Sequence, residues 1–320
     1  MHARATAPPH VVAGFTVPRV MFQVLAALVP VAAMQVYLHG PGLLWLVATG
    51  SVTALACEAL ALWLRRRPSL DFLRDGSVLV TAALLALAVP PTLPWWLMAF
   101  GTAVAVLVAK HAYGGLGQNP INPAMVAYAV LLVSFPLEMT RWPAAGAGWD
   151  AVTGATALDA LRTGLRQSYT MEEILTGPAF GALGGAGGEW VNIAALAGGL
   201  YLLARRIVRW HIPLAMLAGL AIPAAVAHAL DPGAHAGATF HLATGATMLG
   251  AFFIATDPVS AATSDRGRLV FGAGVGLTTW IIRSWGGFPD GVAFAVLLMN
   301  LAVPLIDRYT VPRIYGHPGA

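Results

Sequence analysis

The chemistry open to this sequence starts from hydroxyls. Thr153-Gly154-Ala155-Thr156 leads into Ala157-Leu158-Asp159-Ala160-Leu161-Arg162, and Asp159 follows Thr156 by three residues. That is capping-box spacing, so the tetrapeptide predicts a tight turn into a short helix. Such a turn sets two hydroxyls beside unpaired backbone N–H groups and the positive end of a helix dipole, a setting that suits a phosphate. The plain alternative is a capped surface helix in a loop, and the residues alone leave both readings open. A second set of groups suits a passing cation: Asp257, Asp307, Asn119 and Asn122 all stand where apolar runs are interrupted. The nine histidines show no metal-ligand spacing, and the one cysteine, Cys57, excludes disulfide or CxxC chemistry within the chain. No metal site, nucleophilic triad or paired carboxylates can be argued.

The elements that must position these groups are membrane helices. Of 320 residues, 58% are hydrophobic and 10% charged, with a mean hydropathy of +0.72; a soluble chain carries about 25% charged residues. The composition predicts an all-α polytopic membrane protein. Its basic pI reflects membrane topology rather than nucleic acid, and no cleavable signal peptide is expected. Apolar runs between Gly, Pro and charged breaks predict ten spans, near 20–38, 43–64, 77–89, 95–108, 124–135, 191–203, 212–230, 242–255, 269–282 and 292–306. Several fall short of the ~20 residues that cross a bilayer upright, as helices do when their ends run into breaks that line an internal site. With the N-terminus in the cytoplasm, fourteen of the eighteen Lys and Arg residues fall inside and four outside: Arg141, Arg162, Arg166 and Arg283. The loop carrying Thr156 is then on the outer face.

The chain also repeats itself. Val126-Ala127-Tyr128-Ala129-Val130-Leu131-Leu132 returns as Val292-Ala293-Phe294-Ala295-Val296-Leu297-Leu298, differing only at the aromatic. Gly114-Gly115-Leu116 precedes the first copy as Gly286-Gly287-Phe288 precedes the second, and Pro136 and Pro304 follow them. Five spans separate the copies, so the halves have opposite orientation: two inverted five-helix repeats whose irregular segments meet near the midplane. The expected layout is a cytoplasmic segment 1–19, a first repeat 20–135, an outer loop 136–190, a second repeat 191–307 and a cytoplasmic tail 308–320. The two Asn-Pro pairs, with Asn119 and Asn122, predict one helix break, read either as structural or as ligand-binding. Asp257-Pro258 predicts another, and a carboxylate at membrane depth is costly and usually functional. An interfacial Asp257 capping the break at Pro258 and Ser260 is the competing account. Asp307 is similarly placed, with Arg308 as its expected neutralising neighbour, and Glu58 is expected to face the protein interior.

Four motifs carry a family resemblance: Arg74-Asp75-Gly76-Ser77, GGLGQNPINPAM at 114–125, GATMLGAFFIATDPVSAAT at 245–263 and FPDGVAFAVLLMNLAVPLID at 288–307. From about Arg19 to His317 the chain resembles the D subunit of Rnf-type ion-translocating oxidoreductases, relatives of the B subunit of the sodium-translocating NADH:quinone reductase. The resemblance implies a covalent FMN, joined through its phosphate to Thr156, with Thr153 standing where serine is expected and Gly154, Ala155 and Asp159 completing the site. A second, non-covalent riboflavin is also implied, with no residue assigned. Thr244-Gly245-Ala246-Thr247 repeats the four letters, but the apolar run after it is expected to bury it in the eighth span, away from the outer surface and from any attaching enzyme. The implied function is electron transfer between ferredoxin and NAD coupled to movement of Na+ or H+, in a bacterial inner membrane, among other subunits of the complex, with both termini cytoplasmic. A urea- or ammonium-channel-like transporter and a non-redox membrane anchor are the rival readings.

Overall fold

The computed structural model describes residues 16–67, 73–143 and 153–311. Of the fourteen basic residues expected on the inner side, Arg4 and Arg313 lie outside them, as does the end of the tail. Each of the ten expected spans is a helix or a helix pair. The first repeat holds α1 (Val17–His39), α2 (Gly42–Leu64), α3 (Ser77–Ala88), α4 (Trp95–Ala103, continued by a π-helix Val104–Lys110) and α5 (Pro123–Ser134). After α6 (Pro136–Thr140), β1 (Trp142–Pro143), β2 (Thr153–Gly154), α7 (Ala157–Arg166) and α8 (Met171–Leu175) comes the second repeat. It comprises α9 (Gly188–Ala204), α10 (His211–Leu230), α11 (Ala238–Ala243), α12 (Thr247–Leu249, continued by a π-helix Gly250–Ile254), α13 (Asp265–Trp285) and α14 (Val292–Thr310). Five of these helices are long and apolar enough to cross a membrane, and α3, α5 and α9 are shorter apolar helices. The fold is all-α and polytopic.

Packing follows the internal repeat. Helix α1 lies on α9 and α5 on α14, each pairing equivalent helices of the two halves, while α2 packs on α4 as α10 packs on α13. The short members are equivalent too. Twelve residues of α3 span about 18 Å, far less than the ~30 Å hydrocarbon core, so its ends stop inside protein and need partners there. In the first half Lys110, 3% exposed, bonds Ser77 Oγ at the head of α3 at 3.0 Å. In the second, Arg283 bonds the Thr244 carbonyl just ahead of α12 at 3.2 Å. The topology count treats Lys110 as an ordinary inner-loop charge; it is a buried clamp instead, held by Glu58 at 3.0 Å. Glu58 does face the interior, at 1% exposure, and also bonds His111 Nε2 at 2.7 Å.

Loop contacts respect the expected alternation of sides. Arg65 reaches the Gly114 carbonyl and Arg209 pairs with Asp265, while Thr92 bonds the Arg141 carbonyl and Arg162 the Phe288 carbonyl. Each pair joins segments assigned to the same face. The long loop is structured. In α7, Ala157, Leu158 and Leu161 at helical spacing form a small apolar core with Met171 and Ile174 of α8 and Ala236 and Phe240 of the second repeat. Gly164 makes that contact possible, because a Cβ there would lie 2.6 Å from Ile174.

Candidate functional site

Thr156 is the N-cap of α7, and its hydroxyl oxygen accepts from the Asp159 N–H at 3.3 Å. Among the described residues the first two N–H groups of the helix have no acceptor, the arrangement read from sequence. Gly154 pairs with Trp142 and Thr153 with Pro143 in the two-residue ladder β1–β2, which fixes the approach to the cap. Thr156 is half-buried rather than a freely exposed loop residue. It stands at the edge of a cavity of about 920 Å³, within the range of cofactor sites.

The cavity runs between the repeats under the loop. It is lined by Trp142, Gly154–Asp159 and part of α8 from the loop, by Gln35 and His39 of α1, Leu87 of α3, and Met125 and Tyr128 of α5, and by Ile254. The walls are largely apolar. Among the described residues no Lys or Arg lines it, while Asp159, Glu173 and Asp290 do, so what favours an anion beside Thr156 is the α7 N-terminus.

Thr244, Gly245 and Ala246 form another wall of this same cavity. That corrects the sequence expectation: both threonines of the second tetrapeptide are buried, but the segment is not away from the Thr156 side. Its hydroxyls are closed off by hydrogen bonding. Thr244 Oγ1 donates to the Phe240 carbonyl, and Thr247 Oγ1 lies 2.8 Å from the His241 and 2.9 Å from the Thr244 carbonyl. Behind the turn Arg283, with its side chain 0% exposed, pairs with Asp290 at 2.9 Å and donates to the His241 and Thr244 carbonyls. Asp290 accepts in turn from Ala246 N and Gly291 N. Burial opposes its ionisation, yet Arg283 and these N–H donors hold its carboxyl below the usual carboxylate range. Sequence reading misses this clamp because Arg283 counts there only as a topology marker.

The four candidate cation groups converge on one segment, 254–263, although they are far apart in sequence. Asn122 caps α5 through Met125 N, and its Nδ2 donates to the Ile254 carbonyl at 3.2 Å. Asn300 Nδ2 donates to the Ser260 carbonyl, and its Oδ1 accepts from Asn122 N. Asp257 accepts from Val259 N at 3.3 Å and from Ser260 Oγ at 2.8 Å, with Asn119 beside it. Locally that is the capping arrangement. Asp307 accepts from Thr263 N at 3.0 Å and not from Arg308, its expected partner. Ile254 is therefore a shared element: it lines the cavity, and its carbonyl is bonded to Asn122 at the break.

The chain matches the NQR2, RnfD, RnfE family over residues 4–316. It is 56% identical to a protein of Pseudomonas aeruginosa strain UCBPP-PA14, over 97% of this chain and 94% of that one. It is 50% identical to one of Vibrio cholerae serotype O1 strain M66-2, over 97% and 98%, and 48% identical to one of Vibrio vulnificus strain YJ016, over the same shares. All three bear the name of the D subunit of an ion-translocating oxidoreductase complex. Match and identities span nearly the whole chain, so this protein belongs to the NQR2, RnfD, RnfE family.

Proposed function

We propose that this chain is the flavin-carrying membrane subunit of a redox-driven ion-translocating complex, with FMN joined through its phosphate to Thr156. The observation that carries the reading is the position of Thr156, whose hydroxyl caps a helix at the edge of a deep, largely apolar cavity between the repeats. The residues fit the group. The ester would lie at the open N–H groups of α7, and an aromatic ring system would occupy the apolar walls. With no Lys or Arg in the described lining, a free phosphate dianion would be held weakly there, so a covalent bond supplies what an ionic cradle does not. When bound, the flavin supplies the redox chemistry, and the chain supplies its position and surroundings.

Coupling to ion movement rests on Ile254, which belongs both to the cavity wall and to the break where Asn119, Asn122, Asp257 and Asp307 gather. In this reading electrons pass between ferredoxin and NAD through further subunits, Na+ or H+ moves past the 254–263 segment, and both termini are cytoplasmic in a bacterial inner membrane. A second, non-covalent riboflavin belongs to the same reading, with no residues assigned to it. Flavin fluorescence of the denatured protein in a gel tests the attachment: a yellow band that survives SDS is expected, and its absence contradicts it. Asp257→Asn tests the coupling. The assembled complex should keep its flavin and lose ion-dependent membrane potential; unchanged pumping in proteoliposomes would reduce Asp257 to the cap its hydrogen bonds describe.

A further inference from the structure

The two repeats differ by one oxygen in their matching heptapeptides: Tyr128 in the first stands where the second has Phe294. Phe294 stacks on Phe288 with ring centroids 4.2 Å apart and is not part of the cavity lining. Tyr128 is 8% exposed and lines the cavity. Its hydroxyl makes no hydrogen bond among the described residues. Nearby Asp290 is already committed to Arg283, Ala246 N and Gly291 N. A phenol left without a protein partner in an apolar wall is satisfied by an occupant that accepts its hydrogen bond.

We infer that the Tyr128 hydroxyl donates a hydrogen bond to the ring of the flavin held at Thr156, and so raises its reduction potential. The inference rests on the attachment proposed above. The occupant must offer an acceptor to a phenol donor while filling an apolar space, as the two carbonyls and N1 of an isoalloxazine do. Reduction increases electron density on those acceptors, so the bond strengthens in the reduced state and favours it. The second repeat needs no such donor, because its equivalent aromatic packs on Phe288.

The test is a spectroelectrochemical titration of the purified full-length chain, comparing wild type with Tyr128→Phe, the residue already accepted at the equivalent position. SDS-resistant fluorescence is read first on the wild type. Its absence overturns the attachment itself. With the flavin present, Tyr128→Phe should lower the reduction equilibrium about tenfold, about 30 mV for a two-electron couple, while Tyr37→Phe, on the exposed face of α1, should leave it unchanged. An unaltered potential in Tyr128→Phe would leave the attachment standing and overturn the role of Tyr128. Should Tyr128→Phe fail to assemble, the infrared difference spectrum of wild type carrying ring-labelled tyrosine decides. A tyrosine C–O band must shift on flavin reduction, and its constancy contradicts the inference.

Discussion

The two Thr-Gly-Ala-Thr segments face one cavity and share every side chain, yet they are prepared for different work. In the first, Thr156 spends its oxygen as an acceptor for the Asp159 N–H, so its own O–H proton is uncommitted. In the second, both hydroxyls donate to carbonyls inside their own turn, and the Arg283–Asp290 pair locks that turn from behind. Gly245 shows how tight the lock is, for a Cβ there would fall 2.5 Å from both Arg283 and Asp290. One motif is a cap with a free proton at a helix start; the other is a knot. A reactive hydroxyl is therefore specified by the hydrogen bonds around the four letters and not by the letters.

The largest expected effect lies in the first segment. Thr156→Val should abolish covalent flavin entirely while Thr153→Ala leaves it, both read as gel fluorescence; a flavin surviving Thr156→Val would erase the contrast between the segments. Next comes the clamp of the second segment. Arg283→Gln leaves the part-buried Asp290 without its cation, and should destabilise the protein by about 3 kcal/mol in thermal unfolding without preventing attachment in the molecules that fold. Asp290 also gives the clamp a pH signature. Its folded pKa lies below its unfolded value of about 3.9, so its contribution is present above about pH 4 and is lost as pH falls through the folded value. Unfolding midpoints from pH 7 to pH 3 should show this loss in wild type and not in Arg283→Gln. The smallest effect is Thr247→Val, which leaves two carbonyls short of a donor and should cost about 1–3 kcal/mol, with covalent flavin unchanged. Loss of the flavin there would make the two segments equivalent.

Much of this arrangement is legible in the sequence, and for identifiable reasons. The ten spans follow from apolar runs bounded by Gly, Pro and charge, which act locally. The cap at Thr156 is legible because a side chain three residues from its partner N–H needs only local geometry. The convergence of Asn119, Asn122, Asp257 and Asp307 on one segment is not legible, because it depends on how inverted halves meet. Only the residue types at breaks hint at it. The shared cavity escapes the sequence for a sharper reason. The apolar run after Thr247 correctly signals burial, but burial in a half-length helix ends beside the cavity rather than away from it. Lys110 and Arg283 pass for topology charges, since in sequence a buried clamp and a surface charge look alike.

The central claim, that FMN is esterified to Thr156, is tested most directly by peptide mass spectrometry of the wild-type protein. Tryptic cleavage after Arg141 and Arg162 isolates Trp142–Arg162, and fragment ions within it separate Thr153 from Thr156. The second tetrapeptide falls in a different peptide, Trp210–Arg266. The account predicts the flavin phosphoryl mass on Thr156 alone. The same mass on Thr153, on the second peptide or on neither would contradict it.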